Sequence, residues 1–237
     1  MGRRSGGPEI IAVHIPKAAG ESFRAVLESV YGEDDVELDL NDQVPDDAGS
    51  LHRDFDAWNR ETRAAVERRT SWRKVVTGHF PLWKYERFRG SAFTIVWLRE
   101  PVARLISMYF YLRQKPRRDG GALARGATPV ERLMEVEWPS NPYTERFLRG
   151  YDLEDVDFVG IQEHFAEDVA DLGGMLGWPP VDIPVSNRTT TPEYLSFRPS
   201  EELVRRIRAV NQADIELYER ALELRRARRL AAPAQAR

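Results

Sequence analysis

Cysteine is absent from this sequence of 237 residues. Disulfide bonds, thiolate zinc sites and cysteine nucleophiles are therefore excluded as sources of stability or chemistry. A chain without cysteine is compatible with a reducing compartment, and we predict a cytoplasmic location.

An excess of charge of one sign is also missing, since 35 basic residues stand against 38 acidic ones and the net charge is -3. Such a balanced chain has no overall field to attract nucleic acid or an anionic membrane, and we expect neither as a partner. No stretch approaches the ~18 consecutive apolar residues of a membrane span. No apolar run of about 7 residues follows the polar start, so a signal peptide is not predicted.

What the sequence does contain is an alternation of strand and helix patterns. Short apolar runs rich in β-branched residues predict strands at Glu9–Ile15, Lys74–Thr77, Ser91–Leu98 and Phe158–Ile161. Apolar residues at helical spacing predict helices at Glu21–Tyr31, Asp54–Thr70, Pro101–Leu112, Thr128–Val136, Pro142–Leu148 and Glu163–Leu176. Ser200 is placed to cap a final long helix. The alternation predicts one α/β domain over residues 1–237, with a parallel sheet flanked by helices on both faces.

The remaining segments are predicted to be loops and tails. Glu33–Asp47 has eight acidic residues and no basic one, which is typical of a solvated loop. Lys115–Thr128 is rich in glycine, arginine and proline, and Pro179–Pro199 is rich in proline, so both predict loops. Residues 1–8 and 231–237 are predicted to be disordered.

A first candidate anion site follows the first strand, where Lys17 to Ser22 lead into a helix. Ligands of parallel sheets bind beyond the carboxyl ends of the strands, and the N-terminus of a helix offers N–H groups and partial positive charge. Gly20 permits a close approach of the backbone, Lys17 supplies a charge and Ser22 a hydroxyl. No Walker A pattern occurs in the chain. The alternative is an ordinary turn with a surface lysine.

A second candidate anion site follows the strand that ends at Leu98. Arg99 can direct its planar guanidinium at a phosphate, and Ser107 lies about two helical turns further on. The alternative is that Arg99 pairs with a carboxylate and that Ser107 faces solvent.

Histidine is the side chain best suited to accept a hydroxyl proton near neutral pH. Of the four histidines, His79 follows a strand and a glycine, and we therefore expect it at the ligand-binding edge of the sheet. His14 is interpreted as a core residue within the first strand. A purely structural role is the alternative for His79.

In combination, these segments resemble the sulfotransferase family that includes heparan sulfate 2-O-sulfotransferase and many bacterial relatives. VHIPKAAGESF at Val13–Phe23 is similar to the family's 5′-phosphosulfate loop, usually HIPKTAGTSF. VTGHFP at Val76–Pro81 is similar to the segment that carries the catalytic base. TIVWLREPVARLISMYFYL at Thr94–Leu112 is similar to the 3′-phosphate segment, and FVGIQEHF at Phe158–Phe165 recurs in bacterial members.

The resemblance implies a P-loop-NTPase-like fold and a transfer of the sulfuryl group of PAPS (3′-phosphoadenosine 5′-phosphosulfate) to an acceptor hydroxyl, with PAP as product and no metal. Lys17 would neutralise charge on the leaving phosphate, and His79 would be the base. Arg99 and Ser107 would hold the 3′-phosphate. The 5′-phosphate would be bound by Ala19, Gly20, Glu21 and Ser22.

Two residues depart from the family's loop, because Ala18 and Glu21 stand where threonine or serine is usual. The backbone N–H group of Ala18 can still bind phosphate, whereas a carboxylate at Glu21 repels an anion unless it points away. A binding protein for PAP or PAPS without catalysis is therefore one alternative. A nucleotide-dependent kinase of similar fold is the other, although the chain lacks a Walker A motif and an evident set of metal ligands.

The acceptor is predicted to be a saccharide or another small molecule with a hydroxyl group. We expect the variable segments Asp54–Thr70 and Lys115–Asn141 to build its site. Ser186–Thr189 is a candidate for covering the cofactor, with a plain surface loop as the preferred alternative. Tyr109, Phe110 and Tyr111 are interpreted as core residues.

Overall fold

A five-stranded parallel sheet forms the centre of the structure, a computed structural model that describes residues 4–40, 50–114, 140–183 and 191–231. The strands in chain order are β1 (Arg4–Ser5), β2 (Ile10–Val13), β3 (Val36–Asp39), β4 (Ser71–Trp72), β5 (Val75–Gly78), β6 (Phe93–Leu98) and β7 (Phe158–Ile161). Across the sheet the order is β3, β5, β2, β6, β7, with parallel pairing throughout. β1 and β4 form a separate antiparallel pair.

Most of the helices occupy segments that were predicted to be helical, but one short helix lies in the predicted proline-rich loop. They are α1 (Gly20–Tyr31), α2 (Ser50–Arg68), α3 (Pro101–Gln114), α4 (Phe165–Leu176), α5 (Pro192–Ser196), α6 (Glu201–Val210) and α7 (Gln212–Ala231). The segment predicted as a helix at Pro142–Leu148 contains a π-helical turn, Tyr143–Phe147. The predicted helix at Thr128–Val136 and the predicted loop at Lys115–Thr128 lie outside the described residues.

Hydrophobic side chains cover both faces of the sheet. On one face, Phe23 and Leu27 of α1 and Leu172 of α4 pack against residues of the central strands. On the other, the segment Leu82–Phe88, the π-helical turn and α7 enclose a second cluster. Burial on both faces explains why β2 and β5 are apolar without alternation. The predicted α/β class, with helices on both faces of a parallel sheet, is confirmed.

The prediction of a solvated loop at Glu33–Asp47 is wrong for its first part, which forms a 3-10 turn and the edge strand β3. Both acidic side chains of the strand are paired. Glu37 accepts hydrogen bonds from the guanidinium of Arg69, one of them 2.6 Å long. Asp39 accepts hydrogen bonds from Lys84 at 2.5 Å and from Tyr85 at 2.8 Å. Because these partners are distant in sequence, a local count of charges could not reveal them.

The prediction of one long C-terminal helix is also wrong, because the helix breaks at Asn211 between α6 and α7. Ser200 does cap the first of the two, since its hydroxyl accepts from the N–H group of Leu203. The buried amide of Asn211 donates to the carbonyl of Ile207 and accepts from the N–H group of Asn141. A short polar side chain that bonds to nearby backbone favours a break in a helix.

The predicted tails and the proline-rich loop need smaller corrections. Residues 4–8 belong to the fold, because Arg4–Ser5 pair with Ser71–Trp72 and Pro8 is buried. Helix α7 extends to Ala231. Within the proline-rich segment, α5 begins after Thr191, whose hydroxyl accepts from the N–H group of Tyr194, with Pro192 in its first turn.

Asp168, a residue of α4, forms hydrogen bonds to both β7 and α7. Its side chain is fully buried. One carboxylate oxygen accepts from the N–H group of Ile161 at 2.8 Å, and the other accepts from Nε of Arg225 at 2.7 Å. A buried carboxylate is tolerated when it is both hydrogen-bonded and paired with a cation, as it is here.

We expect Asp168→Asn to lower the free energy of unfolding by about 3 kcal/mol, the lower end of the range for breaking a buried ion pair, because Glu167 still holds Arg225. Urea denaturation followed by circular dichroism measures the change. Glu154→Gln is the matched control, since Glu154 pairs with Arg220 at the surface and exposed pairs contribute little. Equal effects of the two substitutions would contradict this role of Asp168.

Candidate active site

Three of the predicted segments meet at one edge of the sheet. Strands β5, β2 and β6 are neighbours, and their carboxyl ends lead into His79, Lys17 and Arg99 respectively. Parallel strands place such ends side by side, so the topology alone brings these residues to a common edge.

The loop between β2 and α1 has a conformation suited to anions. Lys17 and Ala19 have φ angles of 68° and 64°, both in the left-handed region. Left-handed residues within a turn direct successive N–H groups toward one side and form concavities for anions. Helix α1 begins directly after Ala19, and the N–H groups that open a helix, here those of Gly20 and Glu21, have no acceptor within the helix. The loop can therefore present several donors to a phosphate.

The ammonium group of Lys17 lies over the aromatic ring of Tyr111, with Nζ 4.4 Å from the ring centroid. Such cation–π contacts hold a cation in place without neutralising its charge. Tyr111 is half-buried on α3, whereas its neighbours Tyr109 and Phe110 are buried in the cluster between α3 and α6. The prediction that the aromatic run belongs to the core thus describes two of its three members.

The two departures from the family loop have a structural explanation. Ala18 is fully buried and belongs to a core cluster, so it has only its backbone to offer to a ligand. The carboxylate of Glu21 lies 3.7 Å from Nη2 of Arg24, one helical turn further on, and its side chain is 43% exposed. The carboxylate is therefore drawn toward a cation on the outer surface of α1.

Arg99 connects three parts of the chain. Its Nη1 donates to the carbonyl oxygen of Lys17 at 3.2 Å, and its Nη2 donates to the hydroxyl of Tyr194 on α5, also at 3.2 Å. Its Nε is buried and has no hydrogen-bond partner among the described residues. The guanidinium thus retains a donor for a ligand.

The backbone around Arg99 is fixed by hydrogen bonds at the start of α3. The hydroxyl of the buried Tyr143 donates to the carbonyl of Arg99 at 2.8 Å. Burial raises the pKa of this hydroxyl above its ordinary value, which keeps the proton in place for that bond. Glu100 accepts from the N–H group of Ala103 at 2.7 Å and so caps the helix. Its own N–H group donates to Glu163.

Ser107 is buried on α3, with 2% of its surface exposed. It precedes Tyr111 by four residues, and residues at this spacing share one face of a helix. Because Tyr111 contacts Lys17, Ser107 lies on the face of α3 that turns toward the loop.

His79 and His14 lie side by side at the ends of β5 and β2, with ring centroids 4.4 Å apart. The N–H group of His79 donates to the carbonyl of Asp39, and that of His14 donates to the carbonyl of Gly78. His14 is buried, as its interpretation as a core residue predicted, but it lies just beyond the strand. It follows the end of β2, contacts His79 and packs against Gly20.

Sequence reasoning missed three residues of this site: His14, Tyr111 and Tyr194. The position of His14 follows from the strand register, which pairs Val13 with Gly78 and so places His14 next to His79. Local sequence patterns do not reveal this register. The candidate loop Ser186–Thr189 lies outside the described residues, as does most of Lys115–Asn141. Among the described residues, no helix has the length and apolar character of a membrane span, and no cluster of potential metal ligands was found.

Comparison with known proteins identifies one family. The model of the sulfotransferase family matches residues 4–219. A sulfotransferase from Alicyclobacillus acidocaldarius is 21% identical, with a TM-score of 0.48 over 88% of this chain and 94% of that one. Mouse sulfotransferase SULT7A1 complexed with PAP is 13% identical, with a TM-score of 0.46 over 90% of this chain and 88% of that one. A comparison with curated protein sequences finds no match.

We expect Gly20→Ala to disturb the site, because a Cβ atom at this position would lie 1.7 Å from Cδ2 of His14. The imidazole of His14 would have to move away from Gly20, and its contact with His79 would change. Overpacking of this kind typically lowers the free energy of unfolding by about 1–3 kcal/mol, which urea denaturation measures.

Gly174→Ala is the matched control. Gly174 is an exposed residue of α4, and a Cβ atom there would meet no atom within 4 Å. Alanine in a helix is favoured over glycine by about 0.5–1 kcal/mol, so this variant should be slightly stabilised. If Gly20→Ala behaved like Gly174→Ala, the close packing of His14 on the loop would be refuted.

Proposed function

The chain belongs to the sulfotransferase family, whose model matches residues 4–219, and from this membership we propose that it transfers the sulfuryl group of PAPS to an acceptor hydroxyl. Sulfotransfer as the class of reaction follows from the family. The observation that supports PAPS as the donor is the contact between Arg99 and the Lys17 loop. This contact brings the candidate site for a 3′-phosphate next to the candidate site for a 5′-phosphate. A nucleotide with phosphates at both positions would occupy the two sites together.

At the 5′ end of the donor, we assign binding to the loop between β2 and α1. Its left-handed residues and the first turn of α1 supply N–H donors. Glu21 contributes its backbone while its carboxylate pairs with Arg24. The residues of this 5′ site are Lys17, Ala18, Ala19, Gly20, Glu21 and Ser22.

At the 3′ end, we assign binding of the phosphate to Arg99 and Ser107. The half-buried guanidinium of Arg99 has donors beyond its two contacts with the protein. It supplies a charge-assisted hydrogen bond, which is stronger than a neutral one. A 3′-phosphate distinguishes PAPS from ATP, so this half of the site carries the selectivity for the donor.

The transfer itself requires an acceptor oxygen, the sulfur and the leaving phosphate oxygen in line. The acceptor oxygen forms a bond to sulfur while the bond between sulfur and the leaving oxygen breaks, and PAP departs. The imidazole of His79 takes the proton of the acceptor hydroxyl. The ammonium of Lys17, held beside the loop by Tyr111, neutralises the negative charge that develops on the leaving oxygen. This scheme requires no metal ion.

The acceptor in this proposal is a saccharide or a small molecule with a hydroxyl group, and the location is cytoplasmic. Helix α2 includes the candidate acceptor segment Asp54–Thr70 up to Arg68. Both the class of acceptor and the location stay predictions.

Calorimetric titration with PAP, AMP and ATP tests the choice of donor. We expect PAP to bind more tightly than AMP, because only PAP has a 3′-phosphate to engage Arg99 and Ser107. Ser107→Ala should weaken PAP binding by about fivefold to tenfold, as the loss of one hydrogen bond of about 1–1.5 kcal/mol requires. Binding of ATP with magnesium in preference to PAP would instead support a kinase.

His79→Asn tests the base. We expect the variant to bind PAP with unchanged affinity, because His79 lies at the acceptor side, and to lose about 10²–10⁴-fold in turnover. Release of PAP from PAPS in the presence of a panel of saccharides and phenols measures turnover. Retention of the parent's rate in His79→Asn would exclude this residue as the base. A parent protein that binds PAP but turns over with no acceptor would support the non-catalytic binding protein.

A further inference from the structure

We infer that Arg99, besides binding the 3′-phosphate, is a positioning residue that holds the Lys17 loop in its anion-binding conformation. The contact responsible is the hydrogen bond of 3.2 Å from Nη1 of Arg99 to the carbonyl oxygen of Lys17. This inference rests on the proposed function. It adds that the loop proposed to bind the 5′-phosphate owes its conformation to Arg99, the residue proposed to bind the 3′-phosphate.

The peptide unit between Lys17 and Ala18 is held at both of its ends. Its carbonyl accepts from Arg99, and its N–H group, which belongs to Ala18, donates to the carbonyl of Ile15 at 3.2 Å. Because a peptide unit is planar, two hydrogen bonds on opposite sides fix its orientation. This orientation determines where the following N–H groups of the loop point.

The loop needs such support because its backbone is unfavourable. Lys17 and Ala19 are not glycine, yet both adopt left-handed φ angles of 68° and 64°. A residue with a Cβ atom persists in this region only where its surroundings hold it there. Arg99 supplies such a constraint from a neighbouring strand end, next to Lys17 itself.

Arg99 is itself a rigid support. Its backbone carbonyl accepts from the buried hydroxyl of Tyr143, and its Nη2 donates to Tyr194. One N–H donor of Nη1 is used by the loop and one of Nη2 by α5, and the second donor of each nitrogen is left for the 3′-phosphate. The fork of one guanidinium can therefore serve the loop, α5 and the ligand together, which the single ammonium of a lysine cannot do.

The experiment compares AMP with PAP, which differs from AMP only by its 3′-phosphate. Arg99→Ala should weaken AMP binding by about tenfold, the equivalent of one hydrogen bond to a charged group, although AMP has no 3′-phosphate. It should weaken PAP binding further. Ser107→Ala is the matched control, since it should weaken the binding of PAP and leave that of AMP unchanged. A direct long-range attraction between Arg99 and the 5′-phosphate would be screened at high salt. A loss of AMP affinity that acts through the loop should therefore persist at high salt.

Amide hydrogen exchange without ligand provides a second readout. We expect Arg99→Ala to speed exchange at residues 18–22 relative to the parent, whereas Ser107→Ala should not. If Arg99→Ala fails to fold, Arg99→Lys replaces it, because it keeps the charge and lacks the fork. Arg99→Lys should likewise weaken AMP binding and speed exchange at residues 18–22.

The outcomes separate the two proposals. If the parent binds PAP no better than AMP, the proposed donor is wrong. If the parent prefers PAP, but loss of Arg99 leaves AMP affinity and loop exchange unchanged, Arg99 binds the 3′-phosphate alone and its positioning role is refuted.

Discussion

The order of the parallel strands is the constraint on which the rest of this structure depends. Neighbouring strands lie about 4.8 Å apart, and the sequence β6, β2, β5, β3 sets Arg99, the Lys17 loop, His79 and the end of β3 in a row along one edge. A nucleotide bound from β6 to β2 would present its sulfur toward β5. The order of the strands therefore places the proposed base, His79, beside the proposed donor loop, as the proposed transfer requires.

Much of the fold could be predicted because its signals are local. The apolar runs of β2, β5, β6 and β7 and the periodicity of α1, α3 and α4 each fit within a short window. The errors occur where distant partners decide the outcome. The edge strand β3 is acidic, but Arg69 and Lys84 pair with Glu37 and Asp39. The break at Asn211 depends in the same way on a contact with Asn141.

The candidate site shows the same division. Lys17, Arg99 and His79 could be chosen from the sequence because each follows a recognisable strand, and the topology places those strands together. The contact of His14 with His79 was missed because the two residues are far apart in sequence and only the strand register joins them. Tyr111 and Tyr194 were missed for a similar reason. Each is an ordinary helical residue until its contact with Lys17 or Arg99 is known.

Donor and acceptor also make different demands on the fold. The proposed donor has phosphates at its 5′ and 3′ positions, which N–H groups and one arginine can bind. These protein groups come from strand ends in the centre of the sheet. In the proposed transfer the acceptor would approach the sulfur opposite the leaving oxygen. With His79 as the base, this would be the side of β5 and β3 in the order of the strands. There Asp39 ends the edge strand, with its carboxylate held by Lys84 and Tyr85. An edge strand has only one neighbour in the sheet, and β5 separates this one from the strands that lead into the donor loops. A fold with this arrangement can therefore keep one donor while it changes acceptors.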